Sequence, residues 1–304
     1  DMTSDNVLWA IEVTYPVADF AFSPDGQRVI AIGGDLFNLT NAMEINMLDA
    51  DTGEILWTRT DFDYLGRTVT YSNSGDMIAV GTIEYGTENA IRGELMLLDA
   101  QTGDTIQEFD TNSGVFDILF FDDDNKLVAG FLEDGVRVIE VETGQTVLHI
   151  LEDEQAFSLD WINDNEILIG ANTIVFRANI ETGDVTQRYP GFSKLVDLSA
   201  HPNKPYFLAA DYGSNVALMN YETGERLMEN RNIGVTNWNA QFTPDGSRAF
   251  VSDFTGIITE WSFEERPLDE LIEWITHNRL LRDFTCQERQ LYRIEPFCEE
   301  HSLK

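Results

Sequence analysis

Short apolar runs alternate with polar turns along this chain, and the alternation repeats. Ala18-Asp19-Phe20-Ala21-Phe22 leads into Ser23-Pro24-Asp25-Gly26, and Val29-Ile30-Ala31-Ile32 follows. Alternation at period two predicts strands. Proline presets φ at the second turn position, and glycine closes the turn. Ile45-Asn46-Met47-Leu48 and Ile55-Leu56-Trp57-Thr58 are two further predicted strands, joined by Asp49-Ala50-Asp51-Thr52-Gly53. One unit is therefore four strands.

The unit recurs. The Thr-Gly turn returns as Asp99-Ala100-Gln101-Thr102-Gly103, Glu140-Val141-Glu142-Thr143-Gly144, Asn179-Ile180-Glu181-Thr182-Gly183 and Asn220-Tyr221-Glu222-Thr223-Gly224, so its glycine steps by 50, 41, 39 and 41 residues. A period near 40 with strand-like flanks is the mark of a β-propeller. The first turn recurs at Ser72-Asn73-Ser74-Gly75, Asp122-Asp123-Asp124-Asn125, Asn163-Asp164-Asn165, His201-Pro202-Asn203-Lys204 and Thr243-Pro244-Asp245-Gly246, which makes six units. The expected fold is all-β: a six-bladed propeller of four-stranded antiparallel blades. The sixth unit breaks off at Arg266-Pro267 after three strands. Val7-Leu8-Trp9-Ala10-Ile11-Glu12-Val13 resembles Ile55-Leu56-Trp57-Thr58 and is expected to complete it, closing the ring and removing an exposed edge. The propeller is expected over 1–265 and a helical extension, packed on it, over 266–304.

The Ser-Pro-Asp-Gly and Asp-x-x-Thr-Gly turns at this spacing resemble the WD-repeat and WD-like propellers over roughly residues 7–263. No unit carries their Gly-His pair or ends in Trp-Asp. The resemblance implies a rigid platform for protein contacts. Leu48-Asp49-Ala50-Asp51-Thr52-Gly53-Glu54-Ile55-Leu56-Trp57 also looks like one repeat of the pyrroloquinoline-quinone propellers, but the equivalent tryptophan appears once, at Trp57. The tail from Asn278 to Cys298 is similar to extensions that follow bacterial WD-repeat propellers, which implies a bacterial, exported protein.

Charge narrows the partners. Lys plus Arg is 19 against 54 for Asp plus Glu, a net −35. Such a field repels nucleic acid and anionic lipid. It fits a cationic partner, a soluble surface or a salty habitat. No apolar run approaches the ~20 residues of a membrane span. Cys286 and Cys298 lie close together near the end of the chain. A disulfide between them stabilises by roughly 3 kcal/mol in the chain-entropy estimate, and with the start at Asp1 it suits an extracytoplasmic setting; two unrelated thiols are the alternative. In the extension, Pro267 suits a first helical turn, Leu268, Leu271, Ile272 and Ile275 keep helical spacing, and Thr285 with Glu288 forms a capping box for a second helix. Arg279, Arg282, Arg289 and Arg293 form a local basic cluster there.

The chemistry expected is recognition rather than catalysis. The four histidines, His149, His201, His277 and His301, are spread over different units, and no nucleophile elbow, zinc motif or phosphate loop is present. No catalytic, cofactor or metal residue is assigned, and the acidic turns lack the ligand pattern of a calcium loop. Two second-to-third loops are long, 34–42 and 84–93, and long loops on a rigid scaffold carry recognition. Leu36, Phe37, Tyr85 and Ile91 are their apolar residues, and Tyr64 and Phe192 sit in inter-blade loops on the same expected face. These six are the candidate partner-binding residues. Asn38-Leu39-Thr40 also matches a glycosylation acceptor. A protein partner is expected. The rivals are an enzyme or a small-molecule or metal binder with its site at the central channel, and a subunit of an extracellular polymer. A carboxylate ring at the channel mouth favours the first rival.

Overall fold

The computed structural model describes residues 7–35, 42–84, 92–231, 236–263 and 268–278. The chain divides into two compact units, Asp1–Ser262 and Phe263–Lys304. The first holds six antiparallel sheets, each with its strands in chain order. Blade one is β1 (Val17–Phe22), β2 (Arg28–Gly34), β3 (Met43–Asp49) and β4 (Ile55–Arg59). Blade two is β5 (Leu65–Tyr71), β6 (Met77–Ile83), β7 (Leu95–Asp99) and β8 (Thr105–Phe109). Blade three is β9 (Val115–Phe121), β10 (Lys126–Phe131), β11 (Val136–Glu140) and β12 (Thr146–Ile150). Blade four is β13 (Ser158–Asn163), β14 (Glu166–Gly170), β15 (Ile174–Asn179) and β16 (Val185–Pro190). Blade five is β17 (Leu195–Ala200), β18 (Tyr206–Asp211), β19 (Asn215–Asn220) and β20 (Arg226–Arg231). Blade six is β21 (Asn237–Phe242), β22 (Arg248–Asp253) and β23 (Ile258–Ser262). This is the expected six-bladed propeller.

The turns form as their residues dictate. Asp49 Oδ1 accepts the N–H groups of Asp51 and Thr52 and the Thr52 hydroxyl, at 3.1, 2.8 and 2.8 Å. Gly53 N–H reaches Asp49 O with φ at +72°, the left-handed region that glycine enters without cost. Asp99, Asn179 and Asn220 repeat the arrangement. In the first turn, Ser23 donates to Asp25 Oδ1 at 2.6 Å, and Thr243 does the same to Asp245. These acidic side chains are turn braces.

The core lies between blades. Ile30, Ile32 and Met47 of blade one pack with Val69, Ile78 and Val80 of blade two, all essentially buried. Val128, Ile150, Leu159 and Phe176 join blades three and four, and Val175, Leu198 and Phe207 join four and five. Each such side chain contributes roughly 1.5–3 kcal/mol on removal from water.

A second, outer contact repeats with the blades. The Thr-Gly glycine lies under a side chain that precedes it by one blade: Trp57 on Gly103, Phe109 and Gln107 on Gly144, Leu148 on Gly183, Tyr189 and Gln187 on Gly224. Each of those side chains belongs to a fourth strand. Trp9 occupies the same place on Gly53, and its Nε1–H donates to Ala50 O at 2.8 Å. Thr14 N–H reaches Glu44 Oε1 at 2.8 Å and Pro16 O accepts from Gly34. The opening segment thus runs along blade one where a fourth strand of blade six belongs. It completes the outer contact but forms no ladder: residues 7–13 carry no strand, and blade six has three described strands.

In the second unit, α1 (Leu268–Asn278) starts with Asp269 and Glu270 and ends near His277, charges that suit the helix dipole. Ile272 is exposed. The expected second helix, the arginine cluster from Arg279 onward, Cys286 and Cys298 lie outside the described residues.

Candidate functional site

A β-bulge marks the start of the inner strand in five blades. The bulged residues are Ala18, Arg67, Phe116, Val196 and Trp238. A bulge leaves one residue without a ladder partner and re-aims its side chain. Here the residue after the bulge is Asp19, Thr68, Asp117, Asp197 or Asn239.

Those aspartates tie blade one to two, three to four and five to six. Asp19 Oδ2 accepts Val69 N–H at 2.9 Å, Asp117 Oδ2 accepts Leu159 N–H at 2.7 Å, and Asp197 Oδ2 accepts Ala240 N–H at 2.8 Å. Asp160, deeper in blade four, accepts Ala200 N–H at 2.7 Å. In each, the other oxygen accepts the following residue's own N–H. Burial raises all four carboxyls: Asp117 to about 8, helped by the charges of Asp197 and Asp19, Asp197 to about 7, Asp160 to about 6, and Asp19 in the same direction. Carboxylates therefore do line the inner strands, but both oxygens of each are taken by backbone donors. Among the described residues no group of three or more His, Cys, Asp or Glu could hold a metal ion.

Three of the bulged side chains gather at one end of the axis. The guanidinium of Arg67 lies 4.9 Å from the Phe116 ring centroid and 5.8 Å from that of Trp238, so one residue of blade two touches blades three and six. Phe116 meets Phe157 edge-on at 5.2 Å, and Lys194 Nζ lies 4.9 Å over Phe157. Trp238 meets Phe254 edge-on at 5.1 Å. Arg67, Phe116 and Trp238 are half-buried, whereas Lys194, Phe254 and neighbouring Tyr212 are exposed. The result is a rim of rings and cations over the channel mouth. It lies on the face where the inner strands begin.

The expected partner-binding residues fare differently. Leu36, Phe37, Tyr85 and Ile91 lie outside the described residues. Tyr64 is half-buried beside β5. Phe192 is buried in the core shared by blades four and five, with the Arg226 guanidinium 5.0 Å over its ring. Arg67, Phe116 and Trp238 carry no sequence signal of their own, because each sits at a bulge that breaks the alternation. His201 is also structural: it is buried, its Nδ1 accepts the N–H groups of Asn203 and Lys204, and its ring lies 4.9 Å from Phe242.

On the opposite end, among the turns, a groove of about 890 Å³ is lined by Phe121, Lys126, Trp161 and Asp122. It holds no convergent catalytic groups. No helix among the described residues is long and apolar enough to cross a membrane.

This geometry defines a WD-repeat-like propeller with an axial rim. No protein-family model and no curated protein matches the chain. Solved structures do: a chain from the crystal structure of a mitotic checkpoint complex is similar, with a TM-score of 0.71 and 13% identity, over 87% of this chain and 83% of that one. At that identity the likeness is one of fold.

Proposed function

We propose that this protein is a non-catalytic interaction platform, binding a protein partner on the face that carries the axial rim. The observation behind this reading is the cluster of Arg67, Phe116 and Trp238: three blades bring half-buried rings and a guanidinium together at the channel mouth of a rigid scaffold. Aromatics and arginine are the residues in which interface energy concentrates. The rival, an enzyme with its site at the channel, draws support from the inner-strand carboxylates, but these are held by backbone N–H groups. An extracytoplasmic setting belongs to the proposal and rests on the two neighbouring cysteines of the tail.

The test is cross-linked capture from native extract with wild type and a Trp238→Ala, Phe254→Ala variant, each checked for an unchanged melting temperature. A partner recovered by wild type and lost with the variant supports the reading. Equal recovery by both removes this face from consideration.

A further inference from the structure

We infer, building on that platform, that the axial mouth receives a carboxylate-bearing segment of the partner, held by Arg67 and Lys194 and passing over the half-buried ring of Phe116. The argument begins with scarcity. The chain carries 19 cations against 54 acidic residues. Arg59, Arg137, Arg177, Arg226 and Arg248 each pair with a carboxylate. Arg67 and Lys194 make no ion pair with a described residue; they rest on ring faces instead. The nearby Asp19 carboxyl exerts a field on Arg67, but its oxygens are taken by Val69, Thr68 and Phe20.

Stacking leaves the donors open. A guanidinium lying over a ring keeps its N–H fork at its edge, where it matches a carboxylate in bidentate fashion. The two cations are linked through Phe116 and Phe157, whose rings touch. Phe157 is buried beneath Lys194, so an extended peptide with two acidic side chains can meet one cation on either side of the Phe116 ring. The bulge that sets Arg67 at the mouth gives it no ladder neighbour to displace. Long-range repulsion from the net charge opposes an acidic ligand, so contact chemistry must carry the recognition. That sets a sign: salt that screens the distant charges at about 0.3 M should help the encounter while the close pairs persist.

The probe is a fluorescein-labelled oligoglutamate peptide, with oligoglutamine as control, read by fluorescence anisotropy. Wild type should bind the glutamate peptide at least roughly tenfold tighter than the glutamine one. Arg67→Met should remove most of that preference. Lys194→Glu, an exposed position that leaves the core untouched, should remove it independently and keep the melting temperature. An inorganic phosphate competitor should displace the peptide weakly, since the rings contribute nothing to it. Equal binding of both peptides, no binding of either, or an unchanged preference in Lys194→Glu overturns the inference. If both peptides bind alike and Trp238→Ala, Phe254→Ala weakens both, the carboxylate inference falls while the platform stands.

Discussion

Asp124 of blade three accepts the backbone N–H of Asn73 in blade two at 2.7 Å. The same carboxylate takes Ser74 N–H at 2.8 Å and Asn73 Nδ2 at 2.9 Å, and it is buried. Asp122, Asp123 and Asp124 all hold positive φ, at 55°, 51° and 67°, which turns this side chain toward the neighbouring blade. Aspartate tolerates that region better than most residues. A turn of three acidic residues thus carries an inter-blade tie through Asp124.

Asp124→Ala should cost about 2–3 kcal/mol, because three donors lose a charged acceptor. Urea unfolding measures it. Asp123→Ala, at an exposed neighbour with no such bonds, should cost less than half as much. Equal losses would mean that the left-handed backbone, not the carboxylate, sets the effect.

Stability should fall as pH rises from about 5 to about 9. The folded pKa values of Asp160, Asp197 and Asp117, about 6, 7 and 8, stand above the unfolded value near 3.9. The folded protein therefore binds more protons over that window, and the stabilisation present at low pH is lost as each group ionises. At the acid end the sign reverses: Asp245, held to about 2 by Thr243 and Ser247, and Asp49 and Asp99, lowered by their threonines, lose their bonds on protonation. Melting temperature against pH should peak between the two ranges. Asp117→Asn should flatten the alkaline limb.

The outer contacts can be separated from turn strain. Gly53→Ala and Gly224→Ala both place a Cβ at positive φ, but at Gly53 it would lie 2.6 Å from the Trp9 ring, against 3.4 Å to Gln187 at Gly224. Gly224→Ala should cost about 1–2 kcal/mol of backbone strain. Gly53→Ala should cost clearly more, and should exceed Trp9→Ala by about that strain, since both release the opening segment. Calorimetry on the three variants decides this, and a harmless Trp9→Ala would detach residues 7–13 from any latching role.

Added NaCl should raise the melting temperature. At −35 the folded chain repels itself, and screening relieves that more than it weakens the few surface ion pairs. A flat response between about 0.05 and 1 M salt would contradict this.

Much of the fold was legible because its turns are chemically distinctive. Asp49 through Gly53 needs glycine at positive φ and an oxygen to hold the turn, so the pentapeptide announces itself at each return. The rim was not legible. A bulge shifts alternation by one, so Arg67, Phe116 and Trp238 read as misplaced strand residues rather than a set. Phe192 looked like a loop aromatic until the core of blades four and five closed over it. Trp9 was readable from its likeness to Trp57, but the absence of a strand over residues 7–13 was not.

At each bulge the two tasks of the ring fall on adjacent residues. Where an aspartate follows, it anchors the next blade; the residue before it answers to no partner in the sheet. Exchanging the side chains at 18, 67, 116, 196 and 238 would therefore remove no ladder pair, and the chemistry of the channel mouth would change while the blades keep their registers.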